Sequence, residues 1–193
     1  MTNEEILPST WQCSDDWTVI RAKKDDAQEI MSLCNACHYL HAVDENFILR
    51  ENKYFEDIIT SPHHSENEKI YRSFNYCLKQ NNEGTLLGYF QCIAEYPESG
   101  TMWINALIID PRHHGKGIGR DFLRSFEQKI YSDIIHNLSL RVSLKNYPAL
   151  RFWIANGFTN IHRFQGEDFC TSENNGACFV LSKKLPQSFI HVL

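Results

Sequence analysis

ALIIDPRHHGKGIGR, residues 106–120, combines the signals of a strand, a turn and a helix start. The apolar, β-branched run Leu107–Ile109 predicts a buried strand, and Asp110-Pro111 ends it because proline has no N–H for a ladder. Three glycines at alternate positions then lead into RDFLRSFEQKI, whose apolar residues recur at helical spacing. Backbone N–H groups should therefore gather at the positive end of a helix dipole, a place suited to phosphate oxygens.

Two familiar phosphate-binding loops do not fit this turn. A Walker loop has two glycines five apart followed by Lys-Ser or Lys-Thr, but here Lys116 lies between glycines and no hydroxyl follows it. A dinucleotide loop has the pattern GxGxxG, and the run Gly115–Gly119 has a different spacing. An ordinary glycine-rich turn between a strand and a helix is the structural alternative.

A second stretch, NYPALRFWIANGF at residues 146–158, follows another strand-like run. Asn146 is a natural N-cap, Pro148 suits a first helical turn, and Gly157 suits the end of a helix. The sequence therefore predicts a short helix between these residues.

Both stretches match motifs of one family. Arg112–Gly117 has the form Q/R-x-x-G-x-G/A after a strand ending in Asp-Pro, and residues 146–158 have the form N-x-x-A-x-x-x-Y-x-x-x-G-F with Trp153 in place of the tyrosine. In these motifs the chain resembles the GNAT superfamily of acyl-CoA-dependent N-acyltransferases, where the first loop holds the pyrophosphate of coenzyme A. The resemblance covers about residues 17–184 and is specific over residues 101–158.

The patterns and the resemblance together predict the architecture. Residues 1–16 are expected to be a lead-in that packs Trp11 on the body, and residues 17–193 a single N-acetyltransferase domain. The expected fold is α/β (α+β), a GNAT-like mixed, mostly antiparallel seven-stranded sheet with helices on both faces. The strands are predicted at residues 17–22, 75–80, 85–96, 101–110, 138–144, 159–165 and 178–183, with early helices over about 25–40 and 49–60.

The resemblance also implies the co-substrate and its site. The strands at 101–110 and 138–144 should part at the middle of the sheet, so that backbone groups in the gap can bind the pantetheine arm of acetyl-CoA. The residues implied to bind the co-substrate are Leu107, Ile108, Ile109, Arg112, His113, His114, Gly115, Lys116, Gly117, Ile118, Gly119, Arg120, Asn146, Ala149, Phe152 and Trp153.

The implied reaction is transfer of the acetyl group to a primary amine by direct attack in a ternary complex. The family's thiolate-protonating tyrosine falls at Trp153, and an indole N–H cannot serve as a general acid. The weak catalytic candidates are Tyr96, which is expected to pair with Thr101, and Glu95, which a one-residue slip in register would put in its place. Asn105, which simple alternation places on the face of Leu107, is the third. An ordinary strand side chain is the alternative for each, and we assign no catalytic base from sequence.

Composition limits the partners. A net charge of −5 and a pI near 6.0 argue against nucleic acid and mildly favour a cationic substrate such as an amine. The sequence has no run of eighteen apolar residues and begins with the acidic stretch MTNEEILPST, so we expect no membrane span and a cytoplasmic protein. Seven cysteines scattered through apparent core segments fit a reducing compartment.

The motif Cys34-x-x-Cys37-His38, followed by His41, raises a haem or zinc alternative. Four ligands on one short helix seldom close a tetrahedron around zinc, and the helical periodicity through the motif favours core cysteines. We therefore expect no metal, and keep a redox or metal protein as a rival interpretation.

Two polar loops and a second rival complete the predictions. In the loop after residue 60, His63 and His64 are substrate-contact candidates, with a solvated loop as the alternative. The acidic loop 166–176 is long enough to reach the acceptor site or a neighbouring protomer, which leaves a homodimer open.

The acceptor is a small-molecule or peptide amine of unknown identity. Loss of the family tyrosine favours the rival of a non-catalytic acyl-CoA-binding module.

Overall fold

The computed structural model describes residues 6–44, 47–64, 69–130, 133–166 and 176–186. Short 3-10 turns lie at Lys24–Asp26, His38–Ala42 and Pro111–His113. The strands are β1 (Thr10–Gln12), β2 (Trp17–Arg21), β3 (His63–His64), β4 (Ile70–Gln80), β5 (Leu86–Ala94), β6 (Thr101–Ile109), β7 (Asn137–Ser143), β8 (Asn160–Gln165) and β9 (Cys178–Lys184). The helices are α1 (Ala27–Ala36), α2 (Asn52–Thr60), α3 (Ile118–Lys129) and α4 (Tyr147–Ala155).

The strands form one mixed sheet in the order β1-β2-β4-β5-β6-β7-β9-β8, and β3 pairs with the beginning of β4. Neighbours are antiparallel except β6 and β7, which are parallel because the chain crosses over through α3 between them. The predicted mixed, mostly antiparallel sheet with helices on both faces is confirmed. The predicted number of seven strands is wrong, since the main order already contains eight within the described ranges.

Each face of the sheet has its own apolar core. On one face, α3 packs its apolar stripe on the sheet, where Phe122 and Phe126 lie 4.6 and 4.7 Å from Phe90 between ring centroids. On the other face, α1 and α2 cover a second cluster that includes Ile30 and Tyr89. Burial of these stripes is the main favourable term that holds the layers together.

The lead-in packs as expected and adds a strand. Trp11 is buried, its ring lies 5.0 Å from that of Tyr76, and its indole N–H donates to Ser125 Oγ at 3.1 Å. β1 pairs with β2, from Thr10 opposite Ile20 to Gln12 opposite Thr18. A three-residue strand is too short to show a periodicity, which explains why the sequence did not predict it.

Three predicted boundaries shift. Helix α1 ends at Ala36 rather than near Leu40, and the chain continues as a 3-10 turn with i to i+3 hydrogen bonds such as Leu40 N to Cys37 O at 2.9 Å. Helix α2 begins at Asn52 rather than Leu49, and β4 begins at Ile70 rather than Asn75. Among the helices in the described ranges, none combines the length and apolar character that a membrane span requires.

Candidate functional site

The site begins where β6 and β7 part. Their parallel pairing runs from Thr101 opposite Asn137 to Ile104 opposite Leu140 and does not continue along either strand. Beyond this point, β5 is the one neighbour of β6 among the described residues, and the two pair up to Ile109 opposite Gly88. The predicted opening in the middle of the sheet is therefore present.

A β-bulge in β6 lies at the start of the opening. Gln91 of β5 pairs with Ala106, and the next residue, Cys92, pairs with Ile104. Asn105 is therefore an extra residue in β6 that is not paired with any residue of β5 in the strand register. A bulge bends the strand and increases its twist, which accounts for β6 turning away from β7 at this position.

The alternation of β6 directs specific backbone groups into the gap. Asp110 N–H donates to Leu87 O of β5 at 2.9 Å, so two residues earlier the backbone of Ile108 also faces β5. The N–H and C=O groups of Leu107 and Ile109 consequently face away from β5, towards the opening. The carbonyl of Ile109 is within 2.8 Å of His114 Nε2.

The opening contains a cavity of about 690 Å³. Its walls come from both faces of the sheet and from the exposed segment of β6. The lining residues are Cys37, Tyr39, Leu40, Val43, Leu107, Ile108, Ile109, His113, His114, Gly115, Gly117, Ile118, Gly119, Arg120, Asn146, Pro148, Ala149, Phe152 and Trp153.

The glycine-rich turn forms one end of this cavity. Gly115 has φ +75° and Gly117 φ +87°, a left-handed conformation that a side chain rarely adopts. The first hydrogen bond of α3 is from Asp121 N to Gly117 O at 3.0 Å. The N–H groups of the three preceding residues, 118–120, have no acceptor within the helix, so the positive end of the dipole faces the cavity.

Arg112 forms an ion pair at the start of the turn. Its guanidinium holds the carboxylate of Asp110, with Nε 3.0 Å from both oxygens and Nη2 2.6 Å from Oδ2, and its backbone N–H donates to Oδ1 at 2.8 Å. These hydrogen bonds lower the pKa of Asp110 below its ordinary value. Arg112 thus stabilises the start of the turn and is outside the cavity wall.

Three further polar side chains of this region lie at the cavity mouth. His113, His114 and Arg120 line it, whereas Lys116 does not and places its Nζ 3.5 Å from His113 Nδ1. Arg120 Nε is 3.5 Å from Asp121 Oδ1, a contact between exposed groups. The turn therefore combines unpaired N–H groups with several cationic or neutral nitrogen donors.

Helix α4 forms the facing wall, as its motif predicts. The Asn146 side chain caps it by accepting from Ala149 N–H at 3.2 Å. A Cβ placed on Gly119 would lie 3.2 Å from the ring of Phe152, so glycine there lets α3 and α4 approach closely. Trp153 is buried, with its ring 5.0 Å from Phe152 and 5.1 Å from Phe158. Most of Trp153 is therefore packed in the core, although it also lines the cavity.

The sequence profile of the acetyltransferase (GNAT) family matches residues 25–158, more than half of the chain and all of the segment that builds this cavity. The chain belongs to the GNAT acetyltransferase family. No curated protein matches the chain in sequence.

Solved structures share the GNAT fold with this chain. An acetyltransferase from Thermus thermophilus has 18% identity and a TM-score of 0.65, covering 88% of this chain and 97% of the other. Spermidine N-acetyltransferase from Vibrio cholerae, solved with CoA and spermine, has 17% identity and a TM-score of 0.67 over 90% and 98%. The ribosomal-protein-S18-alanine N-acetyltransferase from Escherichia coli has 14% identity and a TM-score of 0.60 over 92% and 99%. These identities are low, so the similarity concerns the fold.

One wall of the GNAT cavity was not predicted from sequence. The 3-10 turn after α1 contributes Tyr39 and Leu40, followed by Val43, whose carbonyl accepts from Ser143 Oγ of β7. This segment crosses from the α1 side to the far strand of the opening. The sequence signal was weak, because a 3-10 turn has no apolar stripe.

Two thiols near this wall are protonated at neutral pH. Burial raises the pKa of Cys34 to about 12 and that of Cys37 to about 11. Burial also raises the pKa of Tyr39, whose hydroxyl is hydrogen-bonded to Cys37. A thiol in this state is a poor nucleophile, since the thiolate is the reactive form.

The CxxCH motif lies on this same segment. His38 Nδ1 is 3.2 Å from Asn35 O and His41 Nδ1 is 3.1 Å from Phe47 O, and both imidazoles are exposed while Cys34 and Cys37 are buried. Over the described part of the chain, no group of three or more His, Cys, Asp or Glu side chains is arranged to hold a metal ion.

Two of the three weak catalytic candidates, Tyr96 and Asn105, lie on the α1 and α2 face. Tyr96 N–H donates to Thr101 O at 3.2 Å, so the predicted pairing is present. Glu95 is bound by Arg72, with Nη2 3.1 Å from Oε2. Asn105 Nδ2 donates to Gln91 Oε1 at 2.6 Å.

The expected placement of Asn105 on the face of Leu107 is wrong. Leu107 packs on the core beneath α3, whereas Ala106 packs on the core beneath α1 and α2. Gln91, the partner of Asn105, also faces α1 and α2, since Phe90 and Cys92 on either side of it belong to the other core. The bulge shifts the alternation by one residue, which turns Asn105 to the side away from α3.

Of the two loops predicted to reach the acceptor site, the structure describes the segment with His63 and His64. His63 lies in β3 with its ring 5.3 Å from that of Tyr96, and the backbone of His64 pairs with Ile70. The acidic loop prediction falls on residues 167–175, which lie outside the described residues.

Proposed function

We propose that this chain is an N-acetyltransferase that moves the acetyl group of acetyl-CoA to a primary amine by direct attack in a ternary complex. The observation that carries the proposal is a single cavity that joins the N-terminus of α3 to the outward-facing backbone of Leu107 and Ile109. Donors for an anion lie at one end, and strand groups that face away from β5 lie at the other. A long ligand with a diphosphate head and an amide-containing arm matches this order.

The diphosphate of CoA would lie against the N–H groups of residues 118–120 and the loop that contains Gly115 and Gly117. Phosphate at a helix N-terminus gains both hydrogen bonds and the favourable end of the dipole. His113, His114 and Arg120 would add side-chain donors at the same end. The backbone conformation of the turn, rather than any one charged side chain, would thus supply most of the recognition.

The pantetheine arm would run along β6 as though it were the missing neighbouring strand. Its amides would pair with the backbone groups of Leu107 and with the N–H of Ile109, and Ala149 and Phe152 of α4 would line the other side. The thioester then reaches the end of the gap near the bulge at Asn105. One N–H of this segment would stabilise the oxygen that becomes negative during attack.

The reaction follows from positioning the two substrates. The lone pair of the neutral amine attacks the thioester carbonyl, the new C–N bond forms, the C–S bond breaks, and its electron pair leaves with the sulfur. The proton lost by the amine balances the one gained by the CoA thiolate. Holding amine and carbonyl at attack distance accounts for much of the rate enhancement in such reactions.

A covalent route through a cysteine is less consistent with the site. Cys37 lines the cavity, but its raised pKa of about 11 keeps it protonated. Direct attack by the amine needs no protein nucleophile. Six cysteines in the described ranges are free thiols, which fits a reducing compartment such as the cytoplasm.

Two measurements test the proposal. Calorimetry with CoA and acetyl-CoA should show binding at one site per chain, and a thiol-release assay with a panel of primary amines should show amine-dependent turnover. Binding without turnover for any amine would contradict the transferase and support the second candidate below.

That second candidate is a non-catalytic acyl-CoA-binding module, which the packing of Trp153 favours. An indole stands where the family carries its acidic tyrosine, and it is enclosed by Phe152 and Phe158. Trp153→Tyr restores a phenol at the cavity wall, and in a transferase limited by thiolate protonation we expect it to raise kcat several-fold. A module would remain inactive, and a transferase with unchanged kcat would show that protonation of the thiolate does not limit its rate.

A further inference from the structure

An aromatic cluster lies on the α1 and α2 face of the sheet, next to the opening. It consists of His63, Tyr71, Tyr96 and Trp103. Ring centroids are 5.1 Å apart for Tyr71 and Tyr96, 5.8 Å for Tyr96 and Trp103, and 5.3 Å for His63 and Tyr96, and these three pairs meet at 79–88°. Edge-to-face rings at such distances form a stable apolar wall.

The cluster lies beside a row of amide side chains. Asn75 of β4 is directly opposite Gln91 of β5, and Gln91 is bonded to Asn105 of β6 at 2.6 Å. In the next row, Ser73 is opposite Ile93, which is opposite Trp103. The two rows are successive on the same face, so Trp103 and Asn105 lie roughly 7 Å apart along the strand.

Asn75 and Gln91 are buried, and the Asn75 amide is bonded to Tyr89 and to the Ile58 carbonyl. The exposed Asn105 is therefore the end of the row that an acceptor can approach. The α3 and α4 side of the gap and the turn at its end are taken by the proposed CoA site. The bulge at Asn105 immediately precedes Leu107, whose backbone faces the gap. An amine at this bulge would therefore reach the thioester from the side of the amide row. The hydroxyl of Ser73 is buried and has no hydrogen-bond partner among the described residues.

One of the chain's own cations already occupies a ring of the aromatic cluster. Lys69 Nζ lies 4.9 Å from the ring centroid of Tyr71, at the distance of a cation–π contact. A polycationic acceptor would have to displace this contact, whereas an apolar body would pack on the rings without doing so.

Resting on the proposed function, we propose that the acceptor is a primary monoamine with an apolar body, aromatic or branched alkyl. Its amine lies at Asn105, the exposed end of the amide row, and its body packs against the aromatic cluster. Trp103 and Tyr96 are then specificity-determining residues. A polyamine such as spermine, with which one structural neighbour was solved, is expected to be a poor substrate.

The experiment measures thiol release from acetyl-CoA with 2-phenylethylamine, 3-methylbutylamine, putrescine and spermidine. We expect kcat/KM for the two apolar monoamines to exceed that for the two polyamines by about tenfold or more, the effect of one good aromatic contact. Trp103→Leu should raise KM for 2-phenylethylamine by about tenfold and leave KM for acetyl-CoA unchanged. Trp103→Phe keeps a ring and should stay close to the parent protein.

A matched control separates recognition from folding. Phe164 of β8 is an exposed ring remote from the opening, so Phe164→Leu should change neither the KM for any amine nor the preference among them. Faster turnover of polyamines than of apolar monoamines would overturn the inference and leave the proposed function standing. An equal loss for every amine in Trp103→Leu would overturn it as well, and no thiol release with any amine would overturn both.

Discussion

The two halves of the candidate site differ in what forms them: one depends on the backbone and the other on side chains. The proposed co-substrate half depends on backbone geometry: a left-handed Gly117, a capped α4 and two parted strands. The proposed acceptor half depends on side chains from different parts of the chain, such as Tyr96 and Trp103. We therefore expect the first half to tolerate many side chains if the backbone is kept, and the second to change its chemistry with each substitution.

The largest expected effect tests the backbone half. Gly117→Glu places a carboxylate at the end of the helix dipole that should receive a diphosphate, and its Cβ would lie 3.3 Å from Arg120 Nη2. We expect CoA affinity to fall at least about 100-fold, or ~2.8 kcal/mol, measured by calorimetry.

Gly84→Glu is the matched control for that substitution. Gly84 also has a positive φ, +67°, and nothing lies within 4 Å of an added Cβ. The same strain of about 1–2 kcal/mol should lower the stability of both variants, while CoA affinity is lost in Gly117→Glu alone. Equal affinities in the two variants would show that the turn does not bind the co-substrate.

Most of the backbone of the proposed co-substrate half could be predicted from sequence, because the residues that determine it act locally. Glycine spacing, Asp110-Pro111 and the Asn146 cap each act within a few residues, and the structure places the turn, the gap and α4 around one cavity. Even there, Arg112 is held by Asp110 and lies outside the wall. A motif specifies the backbone more reliably than it specifies what each side chain contacts.

The proposed acceptor half could hardly be predicted from sequence, because its contacts join residues that are far apart in the chain. The bulge at Asn105 depends on the register between β5 and β6, which alternation in a single strand cannot reveal. The aromatic cluster unites His63 with Trp103, forty positions apart in the chain. Tyr96 was singled out for its position opposite Thr101, but its aromatic neighbours could not be foreseen.

A smaller effect is expected at the cap of α4. Asn146→Ala removes the acceptor of Ala149 N–H and should cost about 1 kcal/mol of unfolding free energy. Because the cap also lines the cavity, CoA affinity should fall several-fold. Asn156→Ala removes a 2.7 Å bond to Phe152 O at the other end of the same helix and should cost stability with no change in affinity. Equal affinity losses in the two variants would assign the effect to helix stability.

The pH dependence of stability tests the Asp110–Arg112 pair. The folded-state pKa of Asp110 is lowered, so its stabilising contribution is present above the unfolded value of about 3.9 and is lost as the pH falls through the folded value. Asp110→Asn should therefore have a lower Tm than the parent protein at neutral pH, and the two values should converge in acid. A constant Tm difference across this range would contradict the assignment.

The last prediction, with the smallest expected effect, is that no covalent acetyl-enzyme forms. With Cys37 held protonated by a pKa of about 11, the protein incubated with acetyl-CoA alone should show no acetylated form by mass spectrometry. Initial velocities at varied amine and acetyl-CoA should give intersecting double-reciprocal lines. Parallel lines together with an acetylated Cys37 would replace direct attack by a two-step transfer.

Calorimetric titration of the protein with CoA tests the central claim most directly. Binding at one site per chain, abolished by Gly117→Glu and retained by Gly84→Glu, is the predicted result. No heat of association with CoA or acetyl-CoA at concentrations well above micromolar would contradict the claim that the amides of the glycine-rich turn hold a diphosphate.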